Sequence, residues 1–158
     1  MKVVQADMND MTFEPESFDL VWAEGSVYLM GFKNGLSKIR PLLKPAGSAA
    51  VSEVVWLKPD PPQEAMEFWK EYPEIDTIEN KLKVISELNL DLTDYFVLPQ
   101  TAWTENYYDH LEKEIAKYRT EWSGNSEAES ALEAAKREIS IFKQYSEYFS
   151  YAFFIMRR

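Results

Sequence analysis

The chain has 158 residues, 46% of them hydrophobic and 28% charged, with a formal net charge of −10 and no cysteine. That length supports a sizeable core, and that composition excludes a disordered chain. The acidity, with no long basic run, argues against a phosphate-binding surface for nucleic acid, and the missing cysteines exclude disulfides and thiolate metal sites.

In chain order, Val3, Val4 and Ala6 read as a short strand ending at Asp7-Met8-Asn9-Asp10. A carboxylate at that end can accept hydrogen bonds from an exocyclic amine, and Met8 can lie against an aromatic base; Asp7 can equally open a turn. Residues 18–23 form a second, apolar strand that empties into a loop containing Glu24, Gly25, Ser26 and Tyr28. Ligands of open α/β sheets lie beyond the carboxyl ends of the strands, so this mouth is the first candidate site. Gly25 lets a ligand approach the backbone, and Glu24 can accept from an amine or act as a base; a solvated turn is the alternative.

Leu36, Ile39, Leu42 and Leu43 mark a helix that Pro41 should kink or end early. Lys44-Pro45-Ala46-Gly47 reads as a turn, and residues 48–56 as a third buried strand. Glu53 lies inside that strand, where an unpaired carboxylate is costly, so it is expected to face the site. The succession of strand, strand, helix and strand predicts a parallel sheet.

Pro59-Asp60-Pro61-Pro62 breaks the chain. A helix with Met66, Phe68, Trp69 and Tyr72 follows, then one from Asp76 with an Asp76-x-x-Glu79 capping box. Residues 95–98 form a short strand. Trp103, Tyr107 and Tyr108 come next; the first two are candidates for an aromatic wall over the mouth, while Tyr108 fits an amphipathic helix. Two long helices, turning at Ser123-Gly124-Asn125, should make an antiparallel hairpin over residues 102–148. The second is expected to start with a Ser126-x-x-Glu129 box and to carry a stripe reaching Phe149. Residues 151–156 read as a terminal strand. The whole is expected to be one domain, 1–158, with the hairpin inserted in it.

There is no GxGxxG, P-loop or CxxC pair. His110 is the only histidine and reads as a surface helix residue, so no metal site is expected. No apolar run approaches a membrane span and the first residues lack a signal-peptide core, so the expected location is the cytoplasm.

In combination these pieces resemble the C-terminal part of a class I S-adenosylmethionine-dependent methyltransferase, of the methyltransferase type 11 kind. Ala6-Asp7-Met8 is similar to the end of that family's third strand. Phe13 and Pro15-Glu16-Ser17-Phe18-Asp19 resemble its approach to the fourth strand, and Phe18 to Ser26 the strand and its loop. Leu43-Lys44-Pro45-Ala46-Gly47 resembles the family's LKPGG turn, with Ala46 in place of the first glycine. The resemblance implies a partial Rossmann-like α/β sheet, mostly parallel with an antiparallel C-terminal strand, plus a helical hairpin insertion.

It also implies S-adenosylmethionine as cofactor, with Asp7 and Met8 at the adenine and Ala23, Glu24 and Gly25 at the cofactor's edge. Tyr28, Glu53, Trp103 and Tyr107 fall on the side of a small-molecule acceptor. No residue is assigned as catalyst. The family's first two strands and glycine-rich loop have no counterpart here, nor do the helices covering one sheet face. Such a chain is expected to act as a truncated form, to gain its cofactor site only when the missing part is supplied, and to bury its exposed sheet by dimerisation or with a partner. The alternative is a non-catalytic α/β binding or interaction subunit derived from a methyltransferase.

Overall fold

The computed structural model describes residues 3–158. The chain divides into two compact units: Met1–Trp56 with Tyr72–Val97 and Tyr151–Arg158, and Leu57–Glu71 with Leu98–Ser150.

The first unit is a sheet with helices on one face. Its strands are β1 (Phe18–Ala23), β2 (Leu43–Trp56), β3 (Asp76–Thr77), β4 (Asp91–Val97) and β5 (Phe149–Arg157), which begins in the second unit. The order is β1-β2-β5-β4, with β3 beside the end of β2. β1 and β3 run parallel to β2, whereas β4 and β5 are antiparallel. Backbone hydrogen bonds join Ala46 and Gly47 to Arg158 at one end and Leu57 to Tyr148 at the other, so β5 also runs antiparallel to β2. This is the expected mixed sheet.

The strand expected over Val3 to Ala6 does not form. That segment is exposed coil, and the first element is a 3-10 turn at Met8–Asp10. Asp7 accepts the Asn9 N–H at 2.8 Å and bends the chain there. β1 is the edge strand, so among the described residues its outer N–H and C=O groups have no neighbour in the sheet.

Helix α1 (Phe32–Ile39) stops before Pro41, and a 3-10 turn at Arg40–Leu42 leads straight into β2. The expected turn at Lys44 to Gly47 survives as an irregularity within β2. Phe18 pairs with Leu43 but Leu20 with Ser48, so the extra residues bulge out. Ala46 takes φ +62° there, a left-handed position that a glycine would hold without strain. Helix α3 (Ile78–Glu87) is capped by Thr77, whose hydroxyl accepts the Asn80 N–H at 3.2 Å; Asp76 instead accepts from Thr77 N and Asn80 Nδ2.

The two sheet faces differ. On one, Phe154 is fully buried between the rings of Phe32 from α1 (5.5 Å) and Tyr95 (6.3 Å). On the other, Phe153 is flanked by Trp22 (5.6 Å) and Phe96 (5.3 Å). Trp22 remains 62% exposed, Leu20 53% and Phe96 46%.

α1 starts at a long-range cap: the Phe32 N–H donates to Glu74 Oε2 at 2.9 Å. Gly31 makes this approach possible. It sits at φ +78°, and an added Cβ would overlap the Glu74 carboxylate. Gly31→Ala is expected to destabilise the fold by about 2 kcal/mol, from left-handed strain plus loss of the cap. Urea unfolding of the variant checks this, and Glu74→Ala should show the smaller cap loss alone.

The second unit contains α2 (Gln63–Phe68), α4 (Gln100–Trp103), α5 (Asp109–Glu121) and α6 (Ser126–Tyr145). A π-helical turn at Thr104–Tyr108 joins α4 to α5. α5 and α6 pack together, with Ile115, Leu132 and Ile139 buried. Asn125, not Ser126, caps α6: it accepts the Ala128 N–H at 3.1 Å, while Glu129 reaches back to the Gly124 N–H. Phe149 lies beyond α6, in β5, rather than on its stripe. Among the described residues no helix is long and apolar enough to cross a membrane.

Candidate functional site

β1 ends at Ala23 and the chain turns at Glu24-Gly25-Ser26. Gly25 holds φ +57°, with open space where a Cβ would stand. Its N–H donates to Ser52 Oγ on β2 at 2.8 Å, which fixes the loop. Trp22 and Ala50 are register partners, so Ser52 shares their sheet face, whereas Glu53 points to the opposite, helix-covered face. Glu24 is exposed and accepts from Trp22 Nε1 at 3.3 Å. Tyr28 lies in the next 3-10 turn, edge-on to the Tyr72 ring at 5.9 Å.

Asp7 and Met8 sit at the first 3-10 turn, with the Asp7 side chain engaged as its cap and Met8 half-buried. Lys38 of α1 donates to the Asn9 carbonyl at 2.6 Å and ties that turn down. Trp103 and Tyr107 belong to the second unit. Their rings meet at 6.2 Å, and Trp103 also packs on Tyr108 (6.0 Å) and Phe142 (5.9 Å). The Tyr108 hydroxyl donates to Glu138, whose carboxyl is pushed up by burial. Tyr107 stays exposed beside this cluster.

Glu53 is fully buried, and its neighbours are residues that the sequence pattern did not single out. Lys81 of α3, 3% exposed, places Nζ 3.8 Å from Glu53 Oε1 and donates to the Glu74 carbonyl at 2.7 Å. The same ammonium lies 4.8 Å from the Phe32 ring centre and 5.9 Å from that of Tyr72. Burial pushes the Glu53 carboxyl up, against the pull of Lys81. Burial likewise pushes Lys81 down, against Glu53, Glu74 and Asp76. The Tyr72 phenol is raised by burial and then by Glu53. The Tyr72 hydroxyl and the Val54 backbone both act on the Glu53 carboxylate, at distances longer than an ordinary hydrogen bond. The sequence signal for Lys81 was its place four residues before Ile85 on the buried stripe of α3.

Among the described residues no three His, Asp or Glu side chains converge as metal ligands. Part of S-adenosylmethionine fits the residues present: an open glycine backbone at the end of β1, and exposed carboxylates at Asp7 and Glu24. The chain has no glycine-rich strand-loop for the remainder of that cofactor.

Residues 1–51 match the family model described as a methyltransferase domain. No curated protein sequence matches the chain. Solved structures do. A SAM-dependent methyltransferase from Geobacter sulfurreducens, in complex with S-adenosyl-L-homocysteine, matches with TM-score 0.73 and 14% identity over 90% of this chain and 59% of its own. The phosphoethanolamine N-methyltransferase 2 of Haemonchus contortus, in complex with S-adenosyl-L-methionine, matches with TM-score 0.72 and 16% identity over 96% of this chain and 36% of its own. The [4+2]-cyclase SpnF matches with TM-score 0.71 and 17% identity over 97% of this chain and 54% of its own. The chain therefore spans between about a third and three fifths of the length of these relatives in fold. With the strand order, the matched N-terminal segment and these structures together, the chain has the fold of the class I S-adenosylmethionine-dependent methyltransferases.

Proposed function

We propose that the chain forms the acceptor-side portion of a cytoplasmic S-adenosylmethionine-dependent methyltransferase for a small molecule, with the glycine-rich part of the cofactor site lying outside these residues. The observation that carries this reading is the loop at the end of β1. It presents an unobstructed Gly25 backbone in a left-handed conformation held by Ser52. When bound, S-adenosylmethionine supplies an electrophilic methyl group on a sulfonium sulfur. Asp7 and Met8 would hold the adenine, and Ala23, Glu24 and Gly25 the edge near the methyl group. Tyr28, Glu53, Trp103 and Tyr107 would orient the acceptor and exclude water, which is where proximity catalysis gains most. The name of the Haemonchus contortus protein, a phosphoethanolamine N-methyltransferase, supports a small-molecule acceptor.

Calorimetry with S-adenosylmethionine and S-adenosylhomocysteine tests the reading. Binding that weakens about tenfold in Asp7→Ala, the loss of a charge-assisted hydrogen bond, is the expected result. No heat from either ligand at high concentration, with the chain alone and with the glycine-rich part supplied, would sink it.

A second reading is a non-catalytic interaction subunit, and the row of Leu20, Trp22 and Phe96 on the open sheet face favours it. The name of the [4+2]-cyclase of the same fold adds that this scaffold is not tied to methyl transfer. Both readings include burial of that face against a second copy of the chain, because an open edge beside large apolar side chains invites association.

A further inference from the structure

We propose that Ser52 is a positioning residue for the ligand of the β1 mouth: it turns the Glu24–Gly25 peptide so that the mouth offers a carbonyl oxygen, and so takes a ligand edge bearing N–H donors or positive charge. That the ligand is S-adenosylmethionine rests on the function proposed above; the orientation of the peptide does not.

Residues 49–55 of β2 are buried throughout, and Ser52 and Glu53 are the polar side chains among them. Ser52 is 2% exposed, and a hydroxyl at that depth is costly without a partner. Its partner is the Gly25 N–H, which donates to Ser52 Oγ at 2.8 Å across a separation of 27 residues. Gly25 supplies an independent observation. A glycine can be needed for room or for conformation, and nothing lies within 4 Å of the place where a Cβ would stand. The need is therefore conformational: φ is +57°, a left-handed value that a residue with a Cβ holds at a cost. Two positions, one on β2 and one just past β1, thus serve a single peptide orientation.

That orientation decides what the mouth can bind. In a trans peptide the N–H and the preceding C=O point in opposite directions, and every peptide bond among the described residues is trans. With the Gly25 N–H turned to Ser52, the Glu24 carbonyl points away from β2, towards the free side of the edge strand β1. The Glu24 carboxylate is exposed on the same residue. The mouth therefore presents acceptors, while the N–H that could have met an anion is spent on Ser52. Backbone loops that hold phosphates do the reverse and aim their N–H groups at the ligand. An anionic edge is disfavoured here, and one with N–H donors or positive charge is matched. S-Adenosylmethionine, with its sulfonium, belongs to that class.

The test follows the Gly25 amide by NMR in the full chain, where it is one of five glycine signals. Ser52→Ala is expected to speed hydrogen exchange at Gly25 about tenfold and to leave the other glycine amides as they were. Ser52→Thr keeps the hydroxyl and should keep the slow exchange. Calorimetry with S-adenosylmethionine, on the chain alone and with the glycine-rich part supplied, should show binding weakened about five- to tenfold in Ser52→Ala and restored in Ser52→Thr. Should Ser52→Thr fail to fold, the pairing of the two readouts in Ser52→Ala still decides the matter. Inorganic phosphate in large excess should leave the Gly25 signal in place. Equal Gly25 exchange in the parent and Ser52→Ala overturns the proposal. So does a Gly25 signal that moves with phosphate, or a folded Ser52→Thr that binds as weakly as Ser52→Ala. If the parent binds S-adenosylmethionine and Ser52→Ala binds it equally well, the positioning role falls and the proposed function stands. If the parent does not bind it in either form, the proposed function falls and takes that role with it.

Discussion

Lys81→Met is expected to lower the unfolding free energy by about 3–5 kcal/mol at neutral pH, because it strands the Glu53 carboxylate in the interior. The double variant Lys81→Met/Glu53→Leu should recover most of that loss, since a buried pair replaced as a whole by apolar groups is often neutral. Urea unfolding of the parent, the single and the double variant measures both effects. The pH dependence carries a sign. Burial raises the folded-state Glu53 carboxyl above its ordinary 4.5. A raised carboxyl binds more protons in the folded state, so its favourable contribution is complete below pH 4.5 and is lost as pH rises through the folded value. Removing Lys81 takes away the nearby cation and raises that carboxyl further. The loss in Lys81→Met should therefore be small in acid and reach its full size towards neutrality. A loss of under about 1 kcal/mol at neutral pH would mean that Glu53 is already protonated in the parent and that no buried ion pair exists there.

If the chain self-associates through its open sheet face as proposed above, Trp22→Lys is expected to turn that dimer into a monomer. Trp22 is 62% exposed on the outermost strand, with Leu20, also exposed, two residues away on the same face. Pairing of two copies across a two-fold axis would bury both tryptophans, at roughly 2 kcal/mol each. Losing that burial, and setting two ammonium groups against each other, should raise the dimer dissociation constant by about a hundredfold or more. Sedimentation equilibrium over a concentration series measures it. The substitution leaves the folded monomer intact, because a lysine on an edge strand is a common device against association. A parent chain that is monomeric at high concentration, with no binding of an apolar dye, would dispose of the dimer.

Much of the sheet was legible before the structure, for physical reasons. The run from Phe18 to Ala23 is apolar and bounded by turn residues, and it forms β1 as expected. Pro41 removes a helical donor, and α1 stops at Ile39. The errors have a common origin in partners that a sequence window does not contain. Val3, Val4 and Ala6 have strand composition but no neighbouring strand among the described residues, so they stay coil. Thr77 and Asn125 took the cap positions from Asp76 and Ser126, one residue away in each case, since both flanking residues can cap and local geometry decides. For the site, the rule that a buried carboxylate needs company pointed to Glu53. The company itself comes from Lys81, 28 positions later, and from Tyr72 in another segment; the helical stripe that buries Lys81 does not say that Glu53 is its partner. The cofactor-side residues Asp7, Met8 and Glu24 lie on exposed turns, where composition permits a ligand and a bare turn alike.

The sheet order also dictates a timetable on the ribosome. β5 lies between β2 and β4, yet it is synthesised after both. The β1–β2 pair with α1 can assemble as soon as residue 56 has emerged, but the inner edge of β2 then stays open until residues 149–157 arrive. At bacterial or eukaryotic elongation rates that interval is on the order of 5–20 s. Over that time the nascent chain displays an apolar strand of 14 residues with one row of backbone groups unsatisfied. β4 waits in the same condition for β5, its one neighbour among the described residues. The molecule is thus most exposed to chaperones, proteases and other nascent chains just before its last strand is threaded into the middle of the sheet.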